Sequence, residues 1–223
     1  MPPAPRKRST RDRPAKAPLS LDAVVDAALE LLKTEGLEAV TMRRVAAALD
    51  TGPASLYVYV AKREDLLRAM QDRILATVAL ETPDPAHWRE QLHALLARIN
   101  QALVAHPGIT ATTLTEPLTT ESTLRFLENM LGILLAGPID PQDAAYAADI
   151  FTTLVTHAAI EGDVRRTDRR EDAGAIREIF EALPPDRFPL ITAHADRLTA
   201  GDSQQRLRVA IDVVIDGLLA RAR

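Results

Sequence analysis

Hydrophobic residues recur along most of this chain at intervals of three and four positions, the spacing that places them on one face of an α-helix. The first such stretch, residues 20–36, reads "SLDAVVDAALELLKTEG". It opens with Ser20, a favourable N-cap, and closes with Gly36, a residue typical of helix C-termini. Alternation with a period of two is rare and glycine is scarce. The pattern predicts an all-α protein.

Shorter helical segments follow this first helix. Thr41 is placed to cap the segment "MRRVAAALD", and Pro53 is placed to open the next segment, because a first-turn N–H has no partner inside a helix. Between them stands the turn "DTG" at residues 50–52. A further helix is expected from about Arg63 to Leu80. The order predicts a helix-turn-helix.

The remaining residues, 67–223, are expected to form a larger helical domain, after a helix-turn-helix domain at 19–66 and a terminal arm at 1–18. Its helices are predicted at about 86–105, 119–136, 141–163, 172–182, 188–199 and 203–221. Two of them carry apolar stripes with the same spacing: Ala147, Phe151, Leu154, Val155 and Ala158, and Leu207, Ile211, Val214, Ile215 and Leu218. Such stripes fit either pairing of two subunits or burial within one subunit.

Composition narrows the possible classes of protein. The chain has 223 residues and 47% hydrophobic composition, enough for a sizeable core. It contains no cysteine, which excludes disulfides, thiolate metal sites and catalytic cysteines. The first twenty residues have no apolar signal core, and no run approaches the roughly 18 apolar residues of a membrane span. We expect a cytoplasmic protein that does not enter the membrane.

Charge is unevenly distributed along the chain. Net charge is −4 overall, yet residues 1–70 carry +3. In "RKRSTRDRPAK", Arg6 to Lys16, six basic residues stand with only Asp12. This cluster indicates a polyanionic partner, or else a solvated disordered terminus or a cloning remnant. With five prolines, Met1–Pro18 is expected to be a mobile arm.

Sequence motifs of enzymes are absent. There is no phosphate-binding glycine-rich loop, no G-x-S-x-G, and no H-E-x-x-H or similar ligand pair among the five histidines. The many carboxylates fit solvated helix faces. We therefore expect no catalytic residues, no metal site and no cofactor.

A helix-turn-helix places its second helix in the major groove of DNA. In "TGPASLYVYV", residues 51–60, Leu56 and Val60 are expected to face the core, while Tyr57 and Tyr59 point outward. A tyrosine hydroxyl on a rigid arm suits a phosphate contact. The alternative is that the two tyrosines seal the boundary between small helices.

From Leu19 to about Met70, the sequence resembles the DNA-binding domain of the tetracycline-repressor (TetR) family of bacterial transcriptional regulators. The resemblance rests on "ALELLKTEGLEAVTMRRVAAAL" and "SLYVYVAKREDLL". Matching features are the glycine after the first helix, the Thr-x-Arg entry to the second, the Leu-Tyr pair and the charged opening of the fourth. The resemblance implies DNA contacts, with Tyr57 and Arg63 on phosphates, at Thr41, Arg43, Arg44, Pro53, Ala54, Ser55, Tyr57, Val58, Tyr59 and Arg63.

Departures from the family pattern affect the turn. Asp50 replaces the usual glycine; aspartate tolerates left-handed backbone, but here it brings a negative charge near DNA. Thr51 stands where an apolar residue is common. Lys62 stands where a small N-cap is common and is expected to add a phosphate contact. No Arg, Asn or Gln lies between Pro53 and Val60, so Arg43 is the best candidate for direct base readout.

The resemblance also implies a homodimer, built on the two apolar stripes, and a pocket for a small-molecule inducer. Trp88, Phe126, Met130 and His157 are candidate pocket residues. Core packing is the alternative for the first three, and a satisfied or exposed histidine for His157. The function expected is a ligand-responsive repressor on a palindromic double-stranded operator. The alternative is a helical protein-interaction module that has lost DNA binding.

Overall fold

The computed structural model describes residues 18–113, 119–167 and 173–221. Within these ranges the elements are α1 Leu21–Glu35, the 3-10 turn η1 Leu37–Ala39, α2 Met42–Ala48, α3 Pro53–Leu56, α4 Arg63–Ala76, α5 Trp88–Val104, α6 Ile109–Thr113, α7 Glu121–Ala136, α8 Pro141–Thr167, α9 Ala173–Glu181, α10 Pro189–Ala193, α11 Ala195–Thr199 and α12 Ser203–Arg221. The predicted terminal arm lies outside the described residues, apart from Pro18.

The prediction of an all-α fold is confirmed over the described residues. Local signals acted as expected: the Ser20 side chain accepts a hydrogen bond from the Ala23 N–H at 3.1 Å, and Gly36 adopts a φ of 82°. The helix expected to run to Leu80 ends at Ala76. The segment 188–199 forms two short helices, α10 and α11, that meet at His194.

Two hydrophobic cores organise the chain. The first, the head core, joins α1, α2, α3 and α4 and includes Leu67, Met70 and Ile74. The second, the body core, begins with Leu75 and joins α5, α7, α8 and α12. We call residues 18–74 the head and the described residues from 75 onward the body. The head therefore extends along α4 beyond the expected boundary at residue 66.

The two apolar stripes lie inside one subunit, which contradicts the prediction that they form the dimer interface. Leu154 and Val214 are partly buried against the body core. The other stripe residues are buried in it: Ala147, Phe151, Val155, Ala158, Leu207, Ile211, Ile215 and Leu218. The physical reason is that α8 packs against both α5 and α12. A helix with that position shows the same periodicity as one that pairs with a second subunit.

The opposite faces of the same two helices carry exposed apolar side chains. Tyr146 and Ile150 of α8 and Val209 and Val213 of α12 are solvent-exposed, Val213 by 65%. Since α8 and α12 pack side by side, these residues belong to neighbouring outer faces of the body.

Within the described part of the chain, no helix has the length and apolarity needed to span a membrane.

Candidate nucleic-acid interface and body cavities

The entry to α2 is fixed by Thr41, whose hydroxyl oxygen accepts a hydrogen bond from the Arg44 N–H at 3.3 Å. This confirms the predicted N-cap. Arg43, two residues after Thr41, is exposed. The Arg44 guanidinium instead contacts the Glu35 carboxylate at the end of α1, at 2.6 Å. Both arginines are exposed, but the guanidinium of Arg44 takes part in a surface ion pair with Glu35.

The turn between α2 and α3 depends on Asp50. Its φ is 49°, in the left-handed region that the sequence predicted this aspartate would tolerate. On either side, the Leu49 N–H bonds to the Val45 carbonyl at 3.1 Å and the Thr51 N–H to the Ala46 carbonyl at 2.9 Å. These bonds turn the chain sharply, so that α3 begins at Pro53 as predicted.

The second helix of the unit, α3, is a single turn that exposes apolar side chains. Leu56 is completely buried and Val60 nearly so, which confirms that both face the head core. Tyr57 and Val58 between them are 54% and 81% exposed. The first three residues, Pro53, Ala54 and Ser55, are also exposed. α3 and the turn that follows it are thus anchored by Leu56 and Val60 and expose the side chains of Tyr57 and Val58.

Tyr59 has a different environment from Tyr57. Its hydroxyl donates a hydrogen bond to the Leu19 carbonyl at 2.5 Å, and its side chain is 37% exposed. The side chain therefore connects the end of α3 to the residues that precede α1. This contact fits the alternative that the tyrosine seals the boundary between small helices, although the sequence gave no sign of the acceptor, which lies 40 positions away.

Arg63, expected on phosphate, is engaged inside the head. Its Nε donates to the Val40 carbonyl at 2.8 Å and its Nη2 to the Leu37 carbonyl at 3.2 Å. The side chain is half-buried and binds the carbonyl groups of the first residue and of the C-cap of η1, just before Thr41. Lys62, its neighbour, is exposed. Arg63, predicted to contact DNA, thus stabilises the backbone that leads into α2.

A cavity of about 420 Å³ lies in the body between α5 and α12. It combines an apolar floor with polar groups, and its lining residues are Glu90, His93, Ala94, Ala97, Asn100, Gln204, Leu207, Arg208 and Ile211. His93 Nε2 lies 2.9 Å from an Asp212 carboxylate oxygen, and the buried Asn100 amide donates to the Val155 carbonyl at 3.3 Å. A small molecule with an apolar part and several polar groups fits this lining.

The four predicted pocket residues do not line this cavity. Phe126 and Met130 are buried in the body core, and Trp88 packs so closely on Gly137 that a Cβ there would stand 2.6 Å from the ring. His157 is exposed on α8, which contradicts the prediction that it faces an internal cavity. Throughout the residues that the structure describes, no group of His, Asp and Glu could hold a metal ion.

Comparison with known proteins matches both parts of the chain to one family. Residues 24–70 match the family model "Bacterial regulatory proteins, tetR family", and residues 82–222 match "Tetracyclin repressor-like, C-terminal domain". The HTH-type transcriptional repressor DrrR1 of Streptomyces coeruleorubidus is 35% identical, over 94% of this chain and 82% of its own length. An HTH-type transcriptional regulator of Saccharopolyspora erythraea is 28% identical, over 98% of this chain and 90% of its own.

Among solved structures, the chain is similar to ActR, a TetR-family protein of Streptomyces coelicolor. With (S)-DNPA bound, ActR superposes with a TM-score of 0.84 at 32% identity, covering 93% of this chain and 100% of ActR. With actinorhodin bound, the TM-score is 0.83. The helix-turn-helix, the helical body and these matches lead to one conclusion: the chain belongs to the TetR family of bacterial transcriptional regulators.

Proposed function

We propose that this protein is a transcriptional repressor that binds a palindromic DNA operator as a homodimer and leaves it when a small molecule binds the body. The observation that carries the proposal is the exposure of Tyr57 and Val58 in the turn directly after α3, between Leu56 and Val60, which are anchored in the head core. The apolar side chain of Val58 is 81% exposed, and its contact with water is unfavourable. Burial against apolar groups of a partner, such as thymine methyl groups in the major groove, would lower its free energy.

The DNA contact is proposed for the exposed members of the predicted set. Arg43 is the base-reading candidate, because its guanidinium is open to solvent whereas that of Arg44 contacts Glu35. Tyr57 and Lys62 are proposed to contact phosphates, and Val58 a thymine methyl. Pro53, Ala54 and Ser55, which are exposed, keep their place in the proposed surface, and the half-buried Thr41 keeps its place as the N-cap of α2. Arg63 and Tyr59 are proposed to act mainly by positioning, since both polar groups are engaged within the head.

Pairing is proposed for the outer faces of α8 and α12 in place of the buried stripes. Tyr146 and Ile150 on α8 and Val209 and Val213 on α12 supply exposed apolar area. Gly217, one helical turn beyond Val213, has nothing within 4 Å of the place where a Cβ would lie. A small residue there lets a partner helix approach closely. A two-fold pair would carry two α3 helices to successive major-groove segments of a palindrome.

The inducer is proposed to be an amphipathic small molecule that binds in the body. ActR, the similar protein, has been solved with (S)-DNPA and with actinorhodin. In this chain, the cavity between α5 and α12 offers Leu207 and Ile211 as apolar floor and His93 and Arg208 as polar groups. Release from DNA then requires only that the ligand prefer a state in which the two α3 helices are wrongly spaced.

The proposal is tested by binding duplexes selected from a random pool at several salt concentrations. A DNA-binding regulator should prefer the selected duplex and lose affinity steeply with salt. The double variant Tyr57→Ala/Val58→Ala should fold normally, since both side chains are exposed, and should lose that preference. Absence of salt-dependent binding by the natural chain would favour the alternative, a protein-interaction module, for which Asp50 in the turn is the best support.

A further inference from the structure

Two ionic contacts join α5 and α12 on a partly exposed side of the body. The Arg89 guanidinium is paired with the Asp216 carboxylate, and His93 Nε2 lies 2.9 Å from a carboxylate oxygen of Asp212. The step from Arg89 to His93 is one turn forward on α5, and the step from Asp216 to Asp212 is one turn backward on α12. The two helices therefore run antiparallel. We call these two contacts the α5–α12 row.

The same register predicts which residues face each other at the next turn. One further turn on α5 leads from His93 to Ala97, and one further turn back on α12 leads from Asp212 to Arg208. Ala97 and Arg208 both line the cavity between these helices, as this register requires. Because alanine has no carboxylate, the third position of the row holds a cation without the acidic partner that the first two positions have.

Arg208 is available to bind a ligand. Its side chain is exposed, and its guanidinium forms no hydrogen bond or ion pair with any residue that the structure describes. The small side chain of Ala97 leaves room in the cavity, and Leu207 and Ile211 supply buried apolar wall. A guanidinium next to apolar surface suits a ligand that combines an anionic group with an apolar body.

The buried end of the cavity offers a hydrogen-bond acceptor. Asn100 lines the cavity and is only 3% exposed. Its amide nitrogen donates to the Val155 carbonyl at 3.3 Å, whereas its amide oxygen accepts no hydrogen bond from the described residues. Since a buried acceptor without a donor is unfavourable, this oxygen favours a ligand with an N–H or O–H group.

The opposite end of the cavity is negatively charged. Glu90 lines that end and stands two turns, roughly 10 Å along α5, before Ala97. Asp212, beside His93, adds a second carboxylate near this end. An anionic group is therefore repelled from the Glu90 end and attracted to the Arg208 end, so a bound acid has one favoured orientation.

We propose that the cavity between α5 and α12 binds an amphipathic organic acid. Its acid group pairs with Arg208, where the row lacks a third carboxylate, and its donor group reaches Asn100. This inference rests on the proposed function and names the chemical class of the inducer. Because α12 also carries Val209 and Val213 of the proposed pairing face, a ligand held by Arg208 acts on a helix that the proposed dimer needs.

Two fluorescent probes test the class of ligand in the full chain. The acid 6-anilinonaphthalene-2-sulfonate and the neutral 2-anilinonaphthalene share the aromatic body and the N–H group. We expect Arg208→Gln to weaken binding of the sulfonate about tenfold and to leave the affinity for the neutral probe unchanged. Arg197→Gln, which removes an exposed charge on α11 outside the cavity, is the control and should change neither affinity. Equal effects of the two variants on the sulfonate would overturn the proposal.

The contact with Asn100 is tested by changing the probe, because a substitution at this buried position would disturb the body core. In 6-phenoxynaphthalene-2-sulfonate an ether oxygen replaces the N–H group. We expect this ether to compete for the natural chain severalfold more weakly than the anilino probe, since it brings an acceptor to an acceptor. Equal affinities would show that Asn100 receives no donor from the ligand.

Ala97→Glu builds the missing carboxylate into the chain, and Ala97→Gln is a control of nearly the same shape. Position 97 is exposed, so both variants should fold. We expect the melting temperature of Ala97→Glu to exceed that of Ala97→Gln by about 1–3 °C. The difference should disappear when Arg208 is also changed to glutamine. A difference that persists without Arg208 would show that the two positions do not face each other and would overturn the proposed site.

The same pair of variants should affect the probes differently. Both substitutions fill part of the cavity, so affinity for the neutral probe should fall equally in the two. The sulfonate should bind more weakly to Ala97→Glu than to Ala97→Gln, because only the carboxylate competes for Arg208. Equal affinities of the sulfonate for the two variants would contradict the proposed role of Arg208.

The outcomes distinguish this inference from the proposed function. If the natural chain binds the selected duplex but Arg208→Gln leaves the affinity for the sulfonate unchanged, only the inference fails. If the sulfonate depends on Arg208 but the natural chain shows no salt-dependent binding to any duplex, the acid site stands and the proposed function fails.

Discussion

Asp163 on α8 accepts a hydrogen bond from the backbone N–H of Gly108 at 2.8 Å, across 55 positions of sequence. The carboxylate is nearly buried, and the residue after Gly108, Ile109, is completely buried in the head core. The bond therefore links the long helix of the body to the first turn of α6, which inserts into the head. At this point α8 is joined directly to a segment that packs in the head core.

Asp163→Ala should weaken this link. Loss of the charged acceptor of the partly buried Gly108 N–H is expected to lower the free energy of unfolding by about 1–3 kcal/mol. Once a ligand is known, that ligand should lower the DNA affinity of the Asp163→Ala variant less than it lowers the DNA affinity of the natural chain. Chemical denaturation and DNA binding with and without ligand measure the two effects. Asp163→Asn, which keeps an acceptor oxygen, should be milder; equal losses in both variants would argue that the charge of Asp163 matters more than the hydrogen bond.

Gly108→Ala should destabilise the junction from the other side. Gly108 has a φ of 83°, and a Cβ there would lie 3.1 Å from Leu37 Cδ2. Backbone strain and this tight contact together should cost about 1–3 kcal/mol of unfolding free energy. Gly52→Ala is the matched control, because Gly52 has extended backbone and open space around it. Thermal unfolding of the two variants should differ clearly; identical melting temperatures would contradict the expectation.

Arg43→Gln and Arg44→Gln should affect DNA binding differently. Loss of an exposed arginine that reads a base is expected to cost about 1–3 kcal/mol of binding free energy and to relax specificity at one base pair. Arg44 is held by Glu35, so its loss should change operator affinity less. Competition binding with singly substituted operators measures both variants. A larger specificity change for Arg44→Gln would reverse the roles proposed for the two residues.

Val213→Arg should separate the proposed dimer. Its side chain is 65% exposed in the subunit, so the substitution should leave the fold intact while placing a charge in an apolar contact. Sedimentation velocity should show a shift from dimer to monomer over micromolar concentrations. Leu135→Arg on α7, also at an exposed apolar position, is the control and should leave assembly unchanged. A dimeric Val213→Arg variant would place the interface elsewhere.

The His87–Asp84 pair near the start of α5 should show a defined pH response. A hydrogen bond to the Asp84 carboxylate, 2.9 Å away, raises the pKa of His87 above 6.5, and the same bond lowers the pKa of Asp84 below 3.8. The pair therefore stabilises the fold most between pH 3.8 and pH 6.5. Its contribution disappears as pH rises through the folded pKa of His87, and also as pH falls through that of Asp84.

Titration of the His87 ring protons by NMR measures this pKa directly. Asp84→Asn should bring the pKa of His87 back toward 6.5, because the amide carries no charge. An unchanged value in that variant would show that Asp84 is not the cause. Both side chains are largely exposed, so the effect on overall stability should be small.

Local signals in the sequence were sufficient to predict most helices. Ser20 and Thr41 cap the helices they were expected to cap, and Pro53 opens α3, because each acts on backbone groups within three or four residues. α6 was not predicted. It has only five residues, too few for a hydrophobic period, and "HPG" immediately before it looks like a plain chain break.

Contacts over long sequence distances could not be read in the same way. The apolar spacing of Phe151 and Ile211 indicates a buried face, but it says nothing about whether the covering helix belongs to the same chain. Likewise, Arg63 and Tyr59 were predicted to contact DNA, which stays a prediction, and their contacts within the head were not foreseen. Their acceptors, the carbonyls of Val40 and Leu19, are backbone atoms that no residue pattern marks.

Ile74 and Leu75 are adjacent in α4, yet one is packed in the head core and the other in the body core. A chimaera that joins this head to the body of a relative must therefore have its junction in or near α4, where one helical turn packs against both the head core and the body core. Exchange at residue 66 would leave Leu67, Met70 and Ile74 facing a foreign partner. Hybrid repressors made from this protein should carry the whole of α4 with the head and take redesigned α5 and α7 surfaces from Leu75 onward.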